Sequence, residues 1–83
     1  MPLERIRAAK KLTVGTKQTL KAIANGQAKA VCVALDADKH VVQPIIELCN
    51  VNGVEAVYVE SMAALGKACG IAVRAASAAI LEE

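Results

Sequence analysis

The residues best suited to acid–base chemistry in this 83-residue chain sit in one short stretch, Asp36-Ala37-Asp38-Lys39-His40. Two carboxylates beside an imidazole could hold a divalent cation or move a proton. No further oxygen ligands cluster with them, and a capped, solvated loop accounts for the same residues. Cys32, Cys49 and Cys69 lie far apart among apolar neighbours, with no Cys-x-x-Cys pair. That spacing predicts reduced, buried thiols in a cytoplasmic protein rather than a zinc site or a disulfide framework. Ser61 and Ser77 lack a visible base partner, and the glycines form neither G-x-G-x-x-G nor a Walker loop. No catalytic residue, metal site or cofactor is assigned, and the chain reads as a non-enzyme.

Binding chemistry has a better-placed candidate. Residues 15–23 read GTKQTLKAI, which opens a helix on a glycine and sets Lys17, Gln18 and Lys21 on its first two turns. Cations are poorly placed at a helix N-terminus, where the macrodipole is already positive. Lys17 and Lys21, four apart, add a like-charge pair costing roughly 0.2–0.5 kcal/mol. An external anion would offset both costs. Gly15 lets a phosphate approach the backbone closely, and first-turn N–H groups can donate to its oxygens. Lys17 suits guanine O6 and N7, Gln18 can both donate and accept, and Lys21 suits phosphate. A second segment, LGKACGIAVRAASAAI at 65–80, places a loop of Ile71, Ala72, Val73 and Arg74 before the last strand. Ile71 and Val73 are either core anchors or an apolar lip that packs on extruded nucleotides.

Composition narrows the partners. Tyr58 is the single aromatic residue, which argues against nucleic-acid binding by base stacking on exposed rings. Net charge is only +2, but it is unevenly spread: residues 1–21 carry +5 and the remainder −3. That asymmetry fits an end facing a polyanion and equally a solvated N-terminal helix. No apolar run approaches the ~20 residues of a membrane span.

The pattern of elements then follows. Residues 3–11 predict a short leading helix with Leu3, Ile6 and Lys10 near one face. A strand at 12–14 and a helix from a Thr16 N-cap to about Ala24 come next, the helix with a Leu20, Ile23, Ala24 stripe and an Asn25-Gly26 stop. Residues 30–35 form a continuous apolar run, which predicts a strand covered on both faces. Val41, Ile45, Leu48 and Cys49 give the face of a helix with Pro44 in its first turn, closed by Asn52-Gly53. A strand at 54–59, a Ser61-capped helix ended by Gly70 and a strand at 75–81 complete one domain spanning 1–83. The alternation predicts a three-layer α/β/α sandwich with a four-stranded mixed sheet.

Four pieces taken together, GTKQTLKAI at 15–23, VCVALDAD at 31–38, VYVESMAALGKACGI at 57–71 and VRAASAAI at 73–80, resemble the kink-turn-binding family of ribosomal proteins. This is the archaeal large-subunit L7Ae type, and the pattern is nearest to its small bacterial YbxF-like members. The resemblance implies a three-layer sandwich that binds RNA kink-turns, sharp bends around a bulge flanked by sheared G·A pairs. Ordinary A-form RNA hides its major-groove edges, whereas a kinked segment opens them to a helix end. By that likeness Gly15, Thr16, Lys17, Gln18 and Lys21 meet the G·A pairs and nearby backbone. Ile71, Ala72, Val73 and Arg74 cover the bulged nucleotides, and Lys39 and Lys67 reach phosphates. Many archaeal members have Asn-Glu in place of Lys17-Gln18, and Ala72 stands where the family commonly has an acid.

The reading that results is a cytoplasmic RNA-binding protein, monomeric when free, on the ribosome or another structured non-coding RNA. A protein-interaction adapter using the 71–74 lip is the alternative. A small-ligand enzyme built on the 36–40 stretch ranks last.

Overall fold

Among the described residues the order of hydrophobic runs and glycine breaks becomes four helices and four strands. The computed structural model describes residues 2–83. Its elements are α1 (Pro2–Ala8), β1 (Lys11–Val14), α2 (Thr16–Ala24), β2 (Ala30–Ala34), α3 (Lys39–Asn52), β3 (Glu55–Val59), α4 (Met62–Ala68) and β4 (Ser77–Glu82). The leading helix is shorter than the 3–11 expected, and Lys10 lies beyond it in a bend. Among the described residues no helix is long and apolar enough to cross a membrane.

The sheet runs in the order β1-β4-β2-β3. The last strand therefore lies inside it, antiparallel to β1 on one side and β2 on the other, while β2 and β3 are parallel. Every residue of β2 is buried, as its uninterrupted apolar sequence requires when both faces are covered. α2 packs with α3 and α1 with α4, one pair on each face. Ile6, Ile23, Ile45, Leu65 and Ile80 are the largest fully buried side chains. Arg5 ties α1 to the sheet edge and the chain end through Glu55 at 3.1 Å and Glu83 at 2.9 Å.

Cys32 and Cys49 are buried and Cys69 is half-buried, and all three are free thiols. Burial pushes the Cys32 thiol up to about 11 and raises Cys49 and Cys69 as well.

Three helices end alike. Gly26 (φ 71°), Gly53 (φ 67°) and Gly70 (φ 79°) adopt the left-handed conformation. Paired backbone bonds close each end, such as Gly70 N–H to Lys67 O (3.1 Å) and Ile71 N–H to Gly66 O (3.1 Å). This is the Schellman arrangement, which satisfies carbonyls left over at a helix C-terminus.

Pro44 departs from expectation. It is the sixth residue of α3, inside the helix, because Asp38 caps α3 and so starts it five residues before the proline. Its ring removes the bond to the His40 carbonyl, and both residues are exposed, so water can serve that oxygen. An interior proline costs about 3 kcal/mol, offset by up to about 1 kcal/mol through stiffening of the unfolded chain. Pro44→Ala is expected to raise stability by about 1–2 kcal/mol and Tm by several degrees. A melting curve that does not move upward would show that the proline ring is itself stabilising.

Candidate nucleic-acid interface

Strand directions bring the candidate residues to one edge of the sheet. Val14 pairs with Ala78, Val33 with Ser77 and Ala34 with Val59. The C-terminal ends of β1, β2 and β3 thus coincide with the start of β4. The turns into α2, α3 and α4 and the loop leading into β4 all gather there.

Gly15 makes the turn from β1 into α2. Its φ of 107° lies where side chains are strained, and its N–H donates to Ser77 O at 3.0 Å. Gly15 rather than Thr16 occupies the cap position, and no side chain caps the helix. Asp38, by contrast, accepts from His40 N–H at 2.8 Å in α3, and Ser61 accepts from Ala64 N–H at 3.1 Å in α4. α2 also has no acid in its first turn. Its first N–H groups and the exposed Lys17 and Gln18 therefore present a donor-rich, positive surface.

The buried stripe of α2 is Thr19, Ala22 and Ile23, not Leu20, Ile23 and Ala24. Leu20 is half-buried and Ala24 exposed. Thr19 and Ser77 are both 0 % exposed, and Ser77 Oγ donates to Thr19 Oγ1 at 3.3 Å. Thr19 N–H in turn donates to Gly15 O at 2.9 Å. Ser77 thus holds the first turn of α2 through both its carbonyl and its hydroxyl. Because Ser77 directly follows the 71–76 loop, one residue fixes both halves of the candidate surface.

The loop doubles back along α4. Ile71 N–H donates to Gly66 O and, at the other end of the helix, Ala75 N–H donates to Met62 O, each at 3.1 Å. Between them the chain crosses Gly66, where a Cβ would collide with the Val73 carbonyl oxygen. Ile71 is half-buried and packs on the core, whereas Ala72, Val73 and Arg74 are exposed, Val73 by 69 %. The segment is anchored at Ile71 and free as a lip over the next three residues. Leu35, expected inside the β2 run, lies past its end at the same sheet edge and is 68 % exposed.

Of the remaining cations, Lys39 opens α3 at this edge, and Lys21 lies one turn further along α2. Lys67 is in the last turn of α4, on the opposite face of the sheet from α2. All three are exposed, and both ion pairs among the described residues belong to Arg5. The Asp36–His40 stretch proves to be a capping loop. Asp38 caps α3, and Asp36 Oδ1 accepts from Met62 N–H at 2.8 Å at the start of α4. Among the described residues no group of three His, Cys, Asp or Glu side chains could hold a metal ion.

Sequence reasoning missed Thr19, Ser77 and Gly66 as positioning residues, whereas the capped-loop reading of residues 36–40 agrees with the bonds of Asp36 and Asp38. A glycine inside a helix, about 1 kcal/mol worse than alanine, was the one available signal.

The α/β/α sandwich has counterparts among known proteins, and comparison identifies its family. The sequence model of the Ribosomal protein L7Ae/L30e/S12e/Gadd45 family matches residues 2–83. The chain belongs to that family. An RNA-binding protein of Caldanaerobacter subterraneus is 49% identical over 69 residues, covering 83% of this chain and 84% of the relative. The RNA-binding protein YbxF of Geobacillus stearothermophilus is 43% identical over 81 residues, covering 98% and 99%. The solved structure of the Giardia lamblia 15.5kD RNA binding protein aligns with a TM-score of 0.85 at 29% identity, over 98% of this chain and 68% of that one.

Substitutions at two positions check the anchoring. Gly66→Ala gains helix propensity, but the backbone collision should outweigh it, for a net loss of about 1–3 kcal/mol and faster hydrogen exchange at the Ala75 amide. Thr19→Val leaves the buried Ser77 hydroxyl without its partner and should cost about 1–3 kcal/mol, whereas Thr19→Ser retains the bond. A melting temperature for Thr19→Val equal to that of the wild type would mean that the hydroxyl pair does not hold α2.

Proposed function

We propose that this chain is a non-catalytic RNA-binding protein that recognises kink-turns, on the ribosome or on another structured non-coding RNA in the cytoplasm. The observation that carries the reading is the uncapped start of α2, with Lys17 and Gln18 exposed, joined through Ser77 to the 71–74 lip. The names of the relatives as RNA-binding proteins support the polymer, and the single aromatic residue argues against stacking-based recognition. In this reading Gly15, Thr16, Lys17 and Gln18 face the sheared G·A pairs, where an ammonium and an amide match guanine and adenine edges. Lys21, Lys39 and Lys67 contact phosphates, and Val73 with Ala72 and Arg74 packs over the bulged nucleotides.

The dipole and like-charge costs at Lys17 and Lys21 are relieved when phosphate and guanine acceptors arrive between them. The test is a titration against a kink-turn RNA and the same RNA with its G·A pairs converted to Watson–Crick pairs, at two salt concentrations. Tight binding to the first and weak binding to the second is expected. Lys17→Ala should cost roughly 1–3 kcal/mol of that difference. Lys21→Ala should weaken both RNAs and lower the salt dependence. Equal, weak binding to both RNAs would reduce the basic segment to a generic polyanion patch. The exposed Val73 and Leu35 would then favour the protein-adapter reading.

A further inference from the structure

A shallow polar groove follows α2 from its first turn towards the far end of the sheet. In its first part, between α2 and β1, it is lined by Thr13, Gln18, Lys21 and Asn25. The second part opens onto Lys11, Lys29 and Glu82, and Gln27 and Leu81 border both parts, so the groove is continuous. Gln18, Lys21 and Asn25 are three and four residues apart and so share one helix face. Lys11 pairs with Glu82 in the β1–β4 register, and Lys29 N–H donates to Ile80 O at 2.7 Å. Both lysines therefore lie at the end of β4 remote from Ser77.

Ala22 and Leu81 form the floor of the first part, and the polar side chains along the groove are mostly donors. Lys11, Lys21 and Lys29 are exposed and enter no ion pair among the described residues. Asn25 and Gln27 add exposed amides, and Glu82 is the one acid. A line of ammonium and amide groups without aromatic rings suits a phosphodiester strand, which needs charge and donors and presents no base faces. An acidic peptide would meet the same cations, but the groove leads directly from the α2 residues that face RNA in the kink-turn reading.

We propose that this groove carries the phosphate backbone of the RNA stem that continues away from the kink, with Lys11 and Lys29 as its outermost phosphate contacts. The inference rests on the kink-turn reading and adds to it a strip of sequence-independent contacts along the length of α2.

The test pairs a kink-turn RNA whose flanking stems exceed one helical turn with the same RNA trimmed close to the kink. Wild-type protein and the Lys11→Gln/Lys29→Gln double variant are titrated with both over a range of salt. On the long RNA the double variant should bind roughly five- to tenfold more weakly, with a log–log salt slope shallower by about 0.7–0.9 for each phosphate that the protein no longer neutralises. On the trimmed RNA the two proteins should bind alike, and preference for the kink-turn over its Watson–Crick control should be unchanged. Identical slopes and affinities on the long RNA would overturn the proposal. So would an equal loss on both RNAs, which would mean that the lysines act only through the general field. A wild-type protein that does not prefer the kink-turn would count against the kink-turn reading alone, because the stem-length dependence still decides the groove.

Discussion

The structure depends on the insertion of β4 between β1 and β2. β1 has no other neighbour in the sheet, so without β4 it would be an unpaired strand, and α2 would keep α3 but lose the strand that holds its first turn. Pairing with β4 supplies a ladder on each side and brings Ser77 beneath the first turn of α2. The bonds from Gly15 to the Ser77 carbonyl and from the Ser77 hydroxyl to Thr19 then set the helix start against the sheet. Each of these bonds joins residues far apart in the chain, 58 positions for the hydroxyl pair. Such pairings close large loops before they are rewarded, which makes them entropically demanding. The fully buried β2 and its parallel partner β3 provide the shorter-range frame on which that closure occurs.

Electrostatics are distributed unequally over this frame. Two of the three helices that start at the site edge have their first N–H groups met by the protein itself: Asp38 serves α3, and Ser61 with Asp36 serves α4. α2 begins with a glycine and lysine instead. Asp36 and Asp38 at the edge are therefore engaged by backbone N–H groups, whereas Glu60 stays in solvent together with Lys17, Lys39 and Arg74. A small net charge of +2 thus conceals a helix start that carries cations with no acid in its first turn, and the placement of charge matters more than its total.

Much of this was legible in the sequence. Glycines at 26, 53 and 70 mark helix ends because the required backbone conformation favours them, and the apolar run at 30–35 predicts a strand covered on both faces, found at Ala30–Ala34. The losses occurred where a distant partner decides the local outcome. Thr19 lies outside the Leu20, Ile23, Ala24 stripe that the sequence suggests, and the Ser77 hydroxyl accounts for its burial. Thr16 matched capping preferences, but the bond from Gly15 to Ser77 moved the cap one residue earlier. Leu35 belonged to the hydrophobic run by composition, yet the chain turns before reaching it. Pro44 was misplaced because the helix start was read too late. Gly66 is the most instructive case: its meaning lies in a loop seven residues ahead, which no helix periodicity reports.

The path of that loop separates two properties that are usually entangled. Residues 71–75 are held by main-chain bonds at each end and by backbone packed against a helical glycine, and no hydrogen bond or ion pair among the described residues involves the side chains of Ala72, Val73 or Arg74. Exchange at these three positions can alter what the lip touches while leaving its course to the scaffold. Drift and selection can thus explore new ligands there at little risk to folding, and the same freedom makes the segment a natural place to graft diversity. The adaptable part of this small domain is three residues long.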